Sequence, residues 1–72
     1  MKIKPIAPNQ TEVTTDKAVV LFSYETPVAA LVDGVAYRTS EFWSVTTSKH
    51  INKWFDGIEA EVKPQSFFDN LS

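Results

Sequence analysis

The chain has 72 residues, a net charge of −2 and no cysteine. Its length suits one domain, near the lower limit at which a single hydrophobic core suffices. The lack of cysteine excludes a disulfide framework and thiolate metal sites, so the cytoplasm is the expected compartment. The acidic balance provides no overall field for nucleic acid. No continuous apolar run follows the basic N-terminus, and we expect neither a signal peptide nor a membrane-spanning segment.

The N-terminal segment, residues 1–17, predicts an extended arm, or an edge strand at best. Pro5 and Pro8 disfavour regular structure within it, and residues 9–17 are mostly polar. We therefore place the folded core in residues 18–62 and treat the preceding segment as an arm that can dock on this core.

Residues 18–24 predict the first strand of the core, because they are rich in β-branched and aromatic side chains. Pro27 cannot donate to a ladder, which favours a break after this strand over one long kinked strand. The Asp33-Gly34 pair between two apolar runs then indicates a type I′ hairpin, since both loop positions need positive φ. The expected register pairs Val32 with Val35, Leu31 with Ala36, Ala30 with Tyr37, Ala29 with Arg38 and Val28 with Thr39.

A short helix over residues 47–56 is expected to cover this sheet. Thr46 or Thr47 can cap its start, and Gly57 can end it in the left-handed conformation. Spacing of residues at 100° intervals predicts a buried side formed by Thr47, Ile51, Trp54 and Phe55.

Together these elements predict an α+β fold. It has a small antiparallel sheet of about three strands, with one helix packed across a face and a short C-terminal helical turn. Residues 63–72 form this C-terminal helical tail, with Pro64 in its first turn. The apolar side of the tail contains Phe67, Phe68 and Leu71.

No set of residues in the sequence argues for catalysis. Ser48, Lys49 and His50 are adjacent, but consecutive helix residues point in different directions and cannot form a relay among themselves. A single histidine and scattered acids provide neither a general acid–base pair nor a set of metal ligands. We expect a protein that is not an enzyme and that carries no metal or cofactor.

The start of the helix is a candidate site for an anion, such as a phosphate of a nucleotide or nucleic acid. Free backbone N–H groups and the positive end of the helix dipole lie there. The residues expected to contribute are Thr46, Thr47, Ser48, Lys49 and His50, with Lys53 and Arg38 nearby. The alternative is that the hydroxyl groups only cap the helix and that His50 packs against Trp54.

Aromatic residues offer a different site, since exposed aromatic side chains favour binding to a protein partner. The candidates for this role are Trp43, Phe67 and Phe68. The alternative for Trp43, as for Trp54, is a place in the core. A homodimer is also conceivable, because association would bury surface that so small a monomer leaves in water.

Two stretches of the chain resemble a family of small uncharacterised proteins found largely in bacteriophages and their hosts. Residues 24–29 match its Tyr-x-Thr-Pro-Val-Ala segment, and residues 46–50 match its Thr-Thr-Ser-(Lys or Arg)-His motif before a short helix. The likeness covers about residues 19–57. The resemblance implies a phage or prophage origin and a strand-strand-helix core, and it brings no catalytic residue.

These observations predict a small non-enzymatic accessory protein of phage type. We expect it to act in the host cytoplasm by binding a host or phage macromolecule, with a protein partner favoured over others. The alternative is a binder of nucleic acid, nucleotide or phosphate through the N-terminus of the 47–56 helix. No membrane partner is expected.

Overall fold

The computed structural model describes residues 2–71, in which a six-stranded sheet has a helix on each face. The elements in chain order are β1 (Lys2–Ala7), β2 (Gln10–Thr14), β3 (Ala18–Ser23), β4 (Thr26–Val32), β5 (Val35–Thr39), α1 (Val45–Phe55), β6 (Glu61–Lys63) and α2 (Gln65–Asp69). The strands also follow one another across the sheet in chain order. Strands β1 to β5 pair antiparallel, and β6 pairs parallel with β5.

The expectation of about three antiparallel strands is wrong, because the sheet is mixed and has six strands. Two of the additional strands, β1 and β2, lie in the segment expected to be an arm. Pro5 is tolerated there because β1 is an edge strand with a partner on one side only. Asn9 adopts the left-handed conformation in the turn between the two strands, with φ of 63°. The remaining strand, β6, is short, and the alternating residues 58–62 are compatible with a last strand. Its parallel pairing with β5 after a helical crossover is not predictable from a local pattern.

The Asp33-Gly34 hairpin is confirmed. Both loop residues have positive φ, 51° at Asp33 and 80° at Gly34. The ladder between β4 and β5 contains the expected pairs from Val32 with Val35 to Ala29 with Arg38. It stops short of the fifth expected pair, Val28 with Thr39, because the chain is irregular at this end of β4.

That irregularity is a β-bulge in β4. Leu21 pairs with Ala29, whereas the next residue, Phe22, pairs with Pro27, which leaves Val28 as an extra residue opposite β3. Val28 and Ala29 consequently both belong to the cluster beneath α1. The predicted break is confirmed as the turn between β3 and β4, and Pro27 lies inside β4 rather than in the turn.

Two buried clusters lie on opposite faces of the sheet, because neighbouring side chains alternate along β3 and β4. The cluster beneath α1 contains Leu21, Val28, Ala29, Ala36, Ile51 and Phe55. The cluster beneath α2 contains Ala18, Val20, Ala30 and Phe68. The alanines in both clusters leave room for aromatic rings of the helices to approach the sheet.

Helix α1 begins at Val45, and Ser44 caps it in place of the expected Thr46 or Thr47. The Ser44 side chain accepts a hydrogen bond of 3.0 Å from the Thr47 backbone N–H. Ser44 has the extended conformation of a cap residue, whereas both threonines already lie in the first helical turn.

The end of α1 uses two left-handed residues. Asp56 is the C-cap with φ of 47°, and Gly57 follows with φ of 87°. No helix within residues 2–71 is long and apolar enough to cross a membrane.

Candidate functional site

A chain of side-chain hydrogen bonds joins β3 to the start of α1. Ser44 Oγ donates to Thr47 Oγ1 at 3.2 Å, and Thr47 Oγ1 lies 3.0 Å from Ser23 Oγ. Ser23 Oγ in turn lies 3.0 Å from His50 Nδ1. Ser23 is 2% exposed and Thr47 is 4% exposed, so the middle of the chain is shielded from water. These bonds tie the helix to the sheet.

The direction of this chain follows from its first member. Ser44 Oγ accepts the Thr47 N–H and gives its own proton to Thr47 Oγ1. Since each buried hydroxyl proton needs an acceptor, we infer that Thr47 donates to Ser23 and that Ser23 donates to His50 Nδ1. His50 is thereby held in the tautomer that carries its proton on Nε2. The three hydroxyl groups keep lone pairs but have no proton left for a ligand.

Ser23 and His50 match a nucleophile and base in distance alone. At 2% exposure, however, Ser23 offers no path to a substrate, and the structure gives it a role in joining β3 to α1. Within residues 2–71, no three His, Cys, Asp or Glu side chains lie close enough together to hold a metal ion.

An open hollow of about 320 Å³ lies beside the hydrogen-bond chain. The buried Ser23 and Thr47 line its base together with Ser44, and Tyr24 and Trp43 line it as exposed residues. Thr26 and Val28 complete the lining. Tyr24 is 53% exposed and Trp43 is 50% exposed. The hollow therefore has two exposed aromatic residues at its rim and three hydroxyl residues at its base.

Trp43 is exposed and yet held in place. Its Nε1 donates to Gln65 Oε1 at 3.1 Å, and the same oxygen accepts a bond of 2.8 Å from Thr39 Oγ1. Gln65 Nε2 donates to the Pro27 carbonyl oxygen at 2.7 Å. The first residue of α2 therefore connects the indole N–H to the sheet through Thr39 and Pro27.

Tyr24, the other exposed aromatic residue that lines the hollow, has a strained backbone. Its φ is 59°, a left-handed conformation that costs a bulky residue about 1–3 kcal/mol. The Tyr24 N–H donates to the Asn9 carbonyl oxygen at 2.7 Å, which holds this turn against the neighbouring one. The ring lies outside the core, with its centroid 6.4 Å from that of His50.

The residues expected to bind an anion are divided among different surroundings. Thr47 and His50 belong to the hydrogen-bond chain, whereas Thr46 and Lys49 are exposed and Ser48 is half-buried. Of the other two, Arg38 lies on β5 and Lys53 lies further along α1. Arg38 Nη1 donates to Asn52 Oδ1 at 3.1 Å, and Lys53 lines a separate hollow beside Trp54.

The aromatic residues expected to bind a partner also differ in position. Phe68 has no exposed surface, and Phe67 packs against the same cluster, with its ring centroid 5.1 Å from that of Tyr37. Both therefore serve the core beneath α2. Of the three candidates, Trp43 is the exposed one.

Sequence reasoning missed Ser23, Tyr24, Ser44 and Gln65. Ser44 had a local signal, since a serine directly precedes the first turn of the helix. Ser23 and Gln65 had none, because their partners lie 22 to 38 positions away in the chain.

Comparison with known proteins matches the chain to one family model. The matching family model is described as a family of unknown function (DUF8033), and the match spans residues 1–70. No curated protein and no solved structure matches the chain.

Proposed function

We propose that this chain, which belongs to the family of unknown function DUF8033, is a small non-enzymatic accessory protein that binds another protein. The supporting observation is Trp43, whose ring is half exposed while its N–H is held by Gln65. Tryptophan is prominent among the residues that dominate binding energy. A ring that is already held in place loses little conformational entropy when a partner covers it.

The surface around Trp43 extends this proposal. Phe42 is 71% exposed, Val45 is 63% exposed and Tyr24 is 53% exposed. We call these three residues and Trp43 the apolar surface. A partner that covers it would remove several large apolar side chains from water at once. We expect the partner to come from a bacteriophage or its host because residues 24–29 and 46–50 resemble the motifs of the phage-associated family.

The proposal is tested by capture of a partner from a host-cell lysate on the immobilised chain. Trp43→Ala is expected to lower recovery of the partner about ten-fold or more. The matched control is Val62→Ala, which truncates an exposed apolar residue on β6 at the edge of the sheet and should leave recovery unchanged. Equal recovery by the wild-type chain and Trp43→Ala would contradict the proposal.

Nucleic acid is the second candidate ligand. Lys49 and Lys53 lie one turn apart on α1 and are both exposed, and the first turn of this helix contains no acidic residue. Phosphate contacts of this kind weaken steeply as salt is raised, whereas contacts through an apolar surface change little. An NMR titration with short DNA and RNA at low salt would produce saturable shifts in the amides of residues 45–53, lost in Lys49→Ala. If no shifts appear, this candidate is excluded.

A further inference from the structure

If the chain binds a protein, as proposed above, the hollow beside Trp43 has a chemistry that favours one kind of side chain of that partner. We propose that the hollow between Tyr24 and Trp43 takes the cationic end of an arginine or lysine side chain of that protein partner. At about 320 Å³, the hollow lies at the small end of the range for ligand pockets. Its size suits one side chain.

The rim of the hollow is aromatic. The Trp43 indole N–H is already donated to Gln65, so this residue offers a ligand its π system and no hydrogen-bond proton. Tyr24 is the second exposed aromatic residue that lines the hollow. The faces of tryptophan and tyrosine carry negative electrostatic potential and attract a guanidinium or ammonium group.

The base of the hollow offers hydrogen-bond acceptors. The hydroxyl protons of Ser44, Thr47 and Ser23 are passed along one chain that ends on His50 Nδ1. Ser44, the half-buried member of the chain that lines the hollow, can accept a further hydrogen bond but cannot donate one. Arginine and lysine side chains carry only donors, whereas a phosphate or carboxylate would need donors from the base.

The charged residue nearest the hollow is acidic. Glu25 lines the adjoining hollow, which shares Tyr24 and Thr26 with the first one. Among the described residues that line either hollow, Glu25 is the one charged residue, and no lysine or arginine is present. The partial positive charge at the start of α1 acts in the opposite sense at Ser44 and Thr47, and it is reduced because Ser44 already takes the Thr47 N–H. The one charged side chain beside the hollow, Glu25, is complementary to a basic side chain.

An NMR titration with small probes tests this assignment. The ¹⁵N-labelled chain is titrated with N-acetyl-arginine amide, with N-acetyl-lysine amide and with N-acetyl-citrulline amide, which has nearly the shape of the arginine probe but no charge. The cationic probes are expected to produce saturable shifts in the Trp43 indole N–H and in the amides of Tyr24 and Thr26. The citrulline probe should bind about five-fold more weakly or worse. The indole N–H of Trp54, which is bonded to Glu12, is the internal reference and should not move.

Variants connect the shifts to the charge. Glu25→Gln is expected to weaken the arginine probe about three-fold, whereas Glu59→Gln, which neutralises another exposed acid, should have no effect. Equal affinity for the citrulline probe, equal shifts with inorganic phosphate, or no saturable shift with either cationic probe would each overturn the assignment. The proposed function has a separate readout. If capture of a protein partner still depends on Trp43 while the cationic probes fail, only the basic side chain is excluded.

Discussion

Ser23 lies in the middle of the buried contact between the sheet and α1, and it sets the state of His50. Its proton has one acceptor, His50 Nδ1, because Ser23 itself accepts from Thr47. A buried hydroxyl group that lost this acceptor would cost about 1–3 kcal/mol. The tautomer of the imidazole ring is therefore determined by a serine on another element.

This tautomer can be observed directly. At mildly alkaline pH, long-range ¹H–¹⁵N spectra of His50 should show the proton on Nε2 and an unprotonated Nδ1. Ser23→Ala should mix the two tautomers and lower the free energy of unfolding by about 1–3 kcal/mol. Thr46→Ala, which removes an exposed hydroxyl group from the same helix, is the control and should change neither. A wild-type ring with its proton on Nδ1 would contradict the direction of the hydrogen-bond chain.

At the scale of elements, the turns follow their own chemistry. The hairpin between β4 and β5 forms where Asp33 and Gly34 supply positive φ, and its register follows from that turn. Helix α1 likewise ends where Asp56 and Gly57 are left-handed. Its start is different, because several hydroxyl residues could cap the helix, and Ser44 is the one with the extended backbone of a cap residue.

Removal of the cap has a measurable effect. Ser44→Ala leaves the Thr47 N–H without its acceptor, which is expected to lower the free energy of unfolding by about 1 kcal/mol and the Tm by about 4–8 °C. Ser44→Asp retains an acceptor at the same position and should restore most of the loss.

Ser48→Ala is the matched control for this helix. It places a better helix former at a half-buried position of α1, so stability should stay equal or rise slightly. If Ser48→Ala destabilised the protein as much as Ser44→Ala does, the assignment of the cap to Ser44 would be incorrect. Thermal unfolding monitored by far-UV circular dichroism gives all three values.

At the scale of the whole molecule, the two ends of the chain contribute unequally. All six residues of β1 are exposed, and this strand pairs with β2 alone. At the other end, α2 provides Phe68, which is fully buried, and Gln65, which bonds to Pro27, Thr39 and Trp43. One face of the sheet depends on the last element of the chain.

Deletions at the two ends should therefore have opposite results. Removal of residues 1–7 should leave a folded protein, because the remaining edge strand β2 keeps its ladder with β3. Removal of residues 64–72 should unfold it. Loss of one buried Phe costs about 3–5 kcal/mol, whereas a chain of this length has about 4–11 kcal/mol in total. Amide dispersion in ¹H–¹⁵N spectra distinguishes the outcomes, and a folded protein without residues 64–72 would contradict the role assigned to α2.

The sequence by itself determined those features that depend on neighbouring residues. The Asp33-Gly34 turn and four pairs of its hairpin were predictable because the backbone conformation of two residues sets the register. The buried side of α1 was predictable because Thr47, Ile51 and Phe55 recur at helical spacing. Trp54, the fourth residue expected there, is only partly buried and packs against the same cluster.

Only the tertiary structure decided the rest. Pairing of β1 with β2 overrode the proline signals of the N-terminal segment, and β6 joined the sheet across a helical connection. The candidate site needed the fold as well. Ser23 lies 27 positions from His50, and Trp43 lies 22 positions from Gln65. Hydrogen bonds between such residues depend on how strands and helices are brought together, and periodicity within one segment carries no information about them.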